Sequence, residues 1–543
     1  MEERAIPMEE VVSVPATPRT APRTPEVVSV PATPRTAQRT PPTSVPHSLL
    51  HSPTLTRSPL LISAPKTPRT PRTPRFITPL ASPMRKAVVT MRGYLEEVGH
   101  LTKLDPQDAW LPITESRNGN SFYSAFHTLS AGIGAQALVL PLAFTFLGWT
   151  WGIFSLSVAF VWQLYTLWIL TQLHETSVGG TRYSRYVHLA QAAFGEKLGS
   201  WLATFPTMYL SAGTCTTLVI IGGSSMKQFY QIICGQTCAR SQPLTTIEWY
   251  LVFACLAVVL SQLPNLNSIA GVSLIGAVTA VGYCTLIWVV SVIKGRPSGV
   301  SYDPVKSKSD VARVFDMLNA LGIVAFAFRG HNLTLEIQAT MPSTLKHPSH
   351  IPMWTGVKFA YLLIASCLYP VAIGGFWTYG NLIPPSGILT ALNIYHQQDT
   401  SKAILGLTSL LVVLNCLCTF QIYAMPVFDS MEAGYTSSKN RPCPYWLRSG
   451  FRVFFGAVSF LIAIAFPFLS GLAGLVGGIT LPVTFAYPCF MWILLKKPKK
   501  NGAMWYINWG LGCLGMALSL LLVAGGVWSV IDSGLKVRFF KPE

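Results

Sequence analysis

The sequence predicts an all-α, polytopic membrane protein behind a polar N-terminal tail, and three observations predict it. Only 11% of the 543 residues are charged while 50% are hydrophobic, against about a quarter charged in a soluble chain. The charge is unevenly spread, with 25 of the 62 charged residues in the first 118 positions. The remaining body contains eleven apolar stretches, each long enough for a crossing of about 20 residues. A cytosolic enzyme is therefore excluded as the natural reading, and no nucleophile elbow, phosphate loop or metal-ligand cluster is present in the sequence.

Residues 1–118 form the tail. Residues 10–25 are repeated at 26–41 with one change, Pro22 to Gln38. So many prolines forbid a helix, and few large apolar residues are available to bury, so the segment is expected to be disordered. Eleven Ser/Thr-Pro dipeptides, at Thr17, Thr24, Thr33, Thr40, Ser52, Ser58, Thr67, Thr70, Thr73, Thr78 and Ser82, are sites a proline-directed kinase would seek. Residues 1–92 carry a net charge of +8; eleven phosphates of about −1.5 to −2 each would bring that to roughly −8 to −14. Such a swing would move the tail off an anionic bilayer surface; the alternative is an unregulated extension. No apolar stretch near Met1 marks a secretory signal.

The membrane body is expected over 119–534, with spans at 122–147, 150–174, 198–229, 244–263, 268–293, 314–339, 354–379, 403–428, 446–466, 470–495 and 504–530, and a short extracellular C-terminus at 535–543. With the N-terminus cytoplasmic, the inner loops hold 12 basic residues and the outer side 9, which favours that orientation modestly. The net charge of +18 thus reads as topology and lipid contact rather than nucleic acid. Lys227, Glu175 and Lys358 fall at span ends and are read as snorkelling side chains. Of eleven cysteines, most lie in apolar runs and act as small hydrophobes. Cys234 and Cys238, in a polar loop, are the disulfide candidates. No metal or cofactor is implied.

Two spans differ from the rest. The first contains Ala131-Gly132-Ile133-Gly134-Ala135-Gln136, ahead of Pro141; the sixth contains Phe326-Ala327-Phe328-Arg329-Gly330-His331-Asn332. Glycine at mid-depth lets a helix unwind, and a bilayer tolerates freed peptide groups only beside protein or a watery cavity. Interruptions five spans apart are the pattern of an inverted-repeat secondary transporter with its substrate between the broken helices. Arginine at mid-membrane costs about 2.5–3.5 kcal/mol even on insertion scales. Arg329 therefore either pairs with Glu336, two turns on, or faces a cavity; the intervening Gly330 favours the cavity. His331 is either a proton relay, since imidazole titrates near neutrality, or structural; Glu336 is the other candidate for a coupled proton. Asn332-Leu333-Thr334 matches a glycosylation sequon but lies at membrane depth.

These stretches, with Leu147-Gly148-Trp149, Ala193-Phe194-Gly195-Glu196-Lys197-Leu198-Gly199, Glu336-Ile337-Gln338-Ala339-Thr340-Met341-Pro342-Ser343 and Tyr423-Ala424-Met425-Pro426-Val427-Phe428-Asp429, occur in order and at consistent spacing. Together they resemble the amino acid/auxin permease family, and within it the plant lysine/histidine transporter-like branch, from about Gly119 to Phe540. The resemblance implies a plasma-membrane, proton-coupled amino acid symporter with an APC/LeuT-like 5+5 inverted repeat plus one extra helix, 11 transmembrane helices in all. It also implies a substrate pocket at Gly132, Ile133, Gly134, Ala135 and Gln136 and at Phe326, Phe328, Arg329 and Gly330. Tyr209, Thr214, Asn415 and Thr419 are secondary contributors. The family usually has a small residue where Arg329 stands and glycine where Gln136 stands. That departure suggests acidic or neutral amino acids as substrates. The alternatives are a carrier of auxin-like organic anions and an amino acid-sensing receptor that signals through the tail.

Overall fold

The computed structural model describes residues 110–114, 117–175, 181–234, 244–263, 265–266, 268–344, 346–466 and 469–532. The tandem repeat, the eleven Ser/Thr-Pro sites, Cys238 and the expected C-terminal segment lie outside the described residues.

Among the described residues the chain is helical, with a single isolated β-bridge between Glu175 and Arg182. In chain order the helices are α1 Ser121–Gly132, α2 Ala135–Leu173, α3 Tyr186–Phe194, α4 Glu196–Cys234, α5 Thr246–Leu260, α6 Ala270–Lys294, α7 Asp310–Ala327 and α8 His331–Ala339. They continue with α9 His350–Tyr379, α10 Ile388–His396, α11 Lys402–Lys439, α12 Tyr445–Ala465, α13 Leu469–Leu481, α14 Tyr487–Lys496 and α15 Ala503–Asp532. Several starts follow from local chemistry. Asn120 Oδ1 accepts from the Phe122 and Tyr123 N–H groups at 3.0 Å, and Thr245 with Glu248 forms a capping box on α5.

Among the described residues nine helices are long and apolar enough to cross a membrane by length and composition, where the sequence predicts eleven spans. Two features account for the difference. The first expected span is divided between α1 and the start of α2, and α2 itself turns at Gly148 (φ 68°, ψ −174°) between the first and second expected spans. The fourth is the 15-residue α5, shorter than a perpendicular crossing requires. The helix over the eighth span runs to Lys439, well past its expected end at Phe428. The charges there are compensated: Arg185 Nε lies 2.5 Å from Asp429, and Arg448 Nη2 lies 2.9 Å from Glu432. α13 and α14 are joined by a π turn at Pro482–Ala486, and the Gly478 carbonyl that Pro482 cannot serve accepts from Ser519 Oγ at 2.9 Å.

The interior is one extensive apolar cluster. α11 packs along α4 and α6, α9 along α1 and α2, and α13 between α7 and α15. Large apolar side chains such as Val161, Trp201, Val259 and Leu362 point outward, as suits a molecule whose exterior meets hydrocarbon. Cys234, which ends α4, is in a disulfide.

Candidate functional site

Both predicted interruptions are present, and each is where glycine stands. α1 stops at Gly132, Ile133 is extended (φ −120°, ψ 116°), and α2 restarts after Gly134. α7 stops at Ala327, and α8 restarts after Gly330, whose φ of +116° is left-handed and disfavours any side chain.

Breaking a helix frees carbonyls that cost about 1–3 kcal/mol each when buried without partners. At the first break, consecutive carbonyls from Ser130 to Gly134 are met by side chains, most from other helices. Thr419 Oγ1 donates to the Ser130 carbonyl at 3.1 Å, Tyr423 Oη to Ala131 at 3.1 Å, and Gln136 Nε2 to Gly132 at 2.6 Å. Asn415 Nδ2 reaches Ile133 at 3.5 Å and Gly276 more closely at 2.9 Å, while Tyr283 Oη donates to Gly134 at 2.9 Å. At the second break, Gln163 Nε2 donates to the Arg329 carbonyl at 3.4 Å and to Tyr361 Oη at 2.5 Å. The breaks are therefore held open by fixed partners.

Arg329 is 1% exposed. Its guanidinium carbon lies 4.4 Å from the Phe326 ring centre and 5.0 Å from that of Tyr423. Its three nitrogens make no hydrogen bond of good geometry among the described residues; the Tyr423 hydroxyl interacts with the guanidinium electrostatically, and Glu336 is not its ion-pair partner. A Cβ placed on Gly134 would be 3.3 Å from Arg329 Nη2 and 3.1 Å from Gln136 Oε1, so the cation of one break reaches the other. Gln136 Oε1 and Thr214 Oγ1 are likewise buried without partners among the described residues. Two desolvated aromatic faces at about 2 kcal/mol each offset part of the several kcal/mol that burying an ion costs but supply no counter-charge. Gly134 and Gly330 provide no side-chain caps, so the positive N-terminal ends of α2 and α8 adjoin the same cation. Together these features suit an anion.

The other expected residues fall as follows. Phe326 and Phe328 are buried, with Phe328 6.0 Å from the Phe160 ring. Asn415 and Thr419 stand at the first break. Tyr209 is half-buried and stacks on Phe205 at 5.9 Å; no described contact ties it to either break. Ala135 follows Gly134 in the backbone. His331 Nε2 is 2.8 Å from Thr166 Oγ1, and its Nδ1 has no partner among the described residues. Glu336 is 7% exposed and interacts electrostatically with Asp429 and Arg185. Asn332 is 1% exposed, closed to glycosylation as expected. Sequence reasoning missed Tyr283, Gln163 and Tyr361 as partners of the breaks. Nothing local distinguishes them from other polar-tipped residues in apolar spans.

A cavity of about 450 Å³ is lined by Leu138, Lys227, Thr246, Tyr250 and Ser386 among others, and by none of the expected pocket residues.

Residues 117–532 match the family of transmembrane amino acid transporter proteins. The chain belongs to that family. It is 61% identical to Lysine histidine transporter-like 8 of Arabidopsis thaliana over the full length of both chains. It is 46% identical to Lysine histidine transporter-like 7 of the same plant, over 80% of this chain and 90% of that one. Among solved structures, a Na+-coupled sialic acid symporter aligns at 11% identity and a TM-score of 0.48, over 82% of this chain and 97% of its own. The chain is thus a member of a transporter family, not of an enzyme family, and amino acid transport is its activity class.

Proposed function

We propose that the protein is a proton-coupled amino acid symporter of the plasma membrane, working by alternating access with its N-terminus cytoplasmic and its C-terminus extracellular. Substrate is held where the two helix breaks face each other. The observation that carries this reading is Arg329, a buried guanidinium with no carboxylate partner among the described residues, set within reach of Gly134 and Gln136. A carboxylate there would meet the guanidinium and the uncapped starts of α2 and α8, a charge-assisted arrangement. Substrate ammonium or side-chain donors would meet Gln136 Oε1 and Thr214 Oγ1. A buried cation beside the pocket repels lysine and arginine by several kcal/mol at low effective dielectric. Acidic and neutral amino acids are therefore favoured, even though the two relatives above are named for lysine and histidine.

Proton coupling is assigned to His331 or Glu336. His331 adjoins the second break through Thr166, and Glu336 borders the Arg185–Asp429 pair. Their states differ between conformations if one is exposed in only one of them, which is the linkage that symport requires.

Radiolabelled uptake in the presence of competitors tests the preference. Unlabelled glutamate or aspartate should compete at least tenfold better than lysine, and Arg329→Ala should bring the two within about threefold. Lysine as the best competitor would overturn the role given to Arg329. The same arginine also suits an organic anion without an ammonium group; indole-3-acetate outcompeting every amino acid would favour that second reading.

A further inference from the structure

We infer that the cavity around Lys227 is a second binding subsite that takes the carboxylate of a small solute. The inference rests on the transport reading, but not on the role of Arg329.

Span-end position makes Lys227 a snorkelling residue in the sequence, yet its ammonium turns into the protein. Nζ donates to Thr246 Oγ1 of α5 at 2.8 Å, leaving two N–H donors. Among the described residues lining the cavity, Lys227 is the one that is charged, and no carboxylate faces it there. The volume of about 450 Å³ falls in the range of small-ligand sites. Among the residues lining it, Ser224 and Ser386 are exposed and Leu138 is buried. Facing a carboxylate at about 4 Å in near-aqueous surroundings, Lys227 would favour it by about a factor of five.

The test needs no transport. Ser224 stands one turn from Lys227 on α4, and Ser224→Cys provides a thiol in the cavity lining. In the full-length chain, labelling of that introduced thiol by an anionic and by a cationic methanethiosulfonate is followed by mass spectrometry of its peptide. The anionic reagent should react about fivefold faster than it does in the same chain carrying Lys227→Gln. Millimolar L-aspartate and L-alanine should slow labelling, and Lys227→Gln should abolish that protection. Lys227→Arg should retain both effects, which separates charge from packing. An unchanged rate and unchanged protection in Lys227→Gln would overturn the subsite, as would an introduced thiol that neither reagent reaches. Failure of the acidic preference at Arg329 leaves protection by L-alanine intact, so the two readings fail separately.

Discussion

At Arg329 a single side chain contains the conflict that defines the molecule. The protein buries a cation, gives it two aromatic faces and supplies no anion among the described residues. Replacing even a buried ion pair by apolar side chains of similar volume is often neutral or stabilising by about 1–4 kcal/mol, and a cation without a carboxylate has no pair to lose. Arg329→Met should therefore melt at the same temperature as the parent chain or several degrees higher in the absence of substrate. It should also lose the rise in melting temperature that an acidic amino acid produces in the parent. A destabilised Arg329→Met would mean that the guanidinium is structural. His331 and Glu336 were readable as candidates because polar residues in an apolar span are conspicuous. That Arg329 does not pair with Glu336 was readable from Gly330, since helical spacing of seven holds only while the helix is unbroken.

At the scale of elements, the far end of the broken sixth span is tied down by one carboxylate. Glu175, just past the end of α2, accepts hydrogen bonds from Ser349 Oγ at 2.6 Å and Ser343 Oγ at 2.8 Å, and lies 3.2 Å from Arg182 Nε. Arg182 in turn donates to the Met341 carbonyl at 3.0 Å, just beyond α8. Sequence position alone made Glu175 a snorkelling residue; these contacts instead make it a latch between α2, α8 and α9. Burial alone would raise its carboxyl, but the neighbouring His174 imidazole, the hydrogen bond from Ser349 and the charge of Arg182 outweigh burial and hold it at about 2. A depressed carboxylate contributes stability that is fully present above its unfolded value near 4.5 and is lost as pH falls through about 2. Glu175→Gln should lower stability at pH 7 by about 1–2 kcal/mol, because the His174 ring is neutral there and the Ser349 hydrogen bond and Arg182 remain as the carboxylate's partners. In thermal melts between pH 7 and pH 3, the gap to the parent should stay constant down to about 4.5 and then narrow. A gap independent of pH would show that the carboxylate charge is not what holds the latch.

For the whole molecule the decisive quantity is the coupling of solute to proton. Uptake into proteoliposomes should rise severalfold with an inward acid gradient and collapse when a protonophore removes it; equal uptake under both conditions would rule out proton symport. Deleting residues 1–100 should leave uptake unchanged, because the helical body contains both breaks and the cavity. A deletion that retained amino acid binding but abolished a cellular response, with no transport in either form, would favour the receptor reading.

The all-helical class, the family and the positions of both breaks were legible in the sequence because they depend on composition and on glycine, which act locally. A bilayer punishes every freed carbonyl, so glycines at mid-depth beside polar side chains mark a break that the protein must satisfy from within. The span count was less legible: turns such as Gly148 and short helices such as α5 are governed by packing rather than hydropathy. What only the tertiary structure decided is which side chains from distant spans close each break. Tyr283, Asn415, Thr419 and Tyr423 meet the carbonyls of the first break across 149 to 292 positions of sequence, and Lys227 turns toward α5 rather than outward. Those pairings arise because a low-dielectric interior leaves each polar group only its spatial neighbours as partners, and spacing along the chain does not record who those neighbours are.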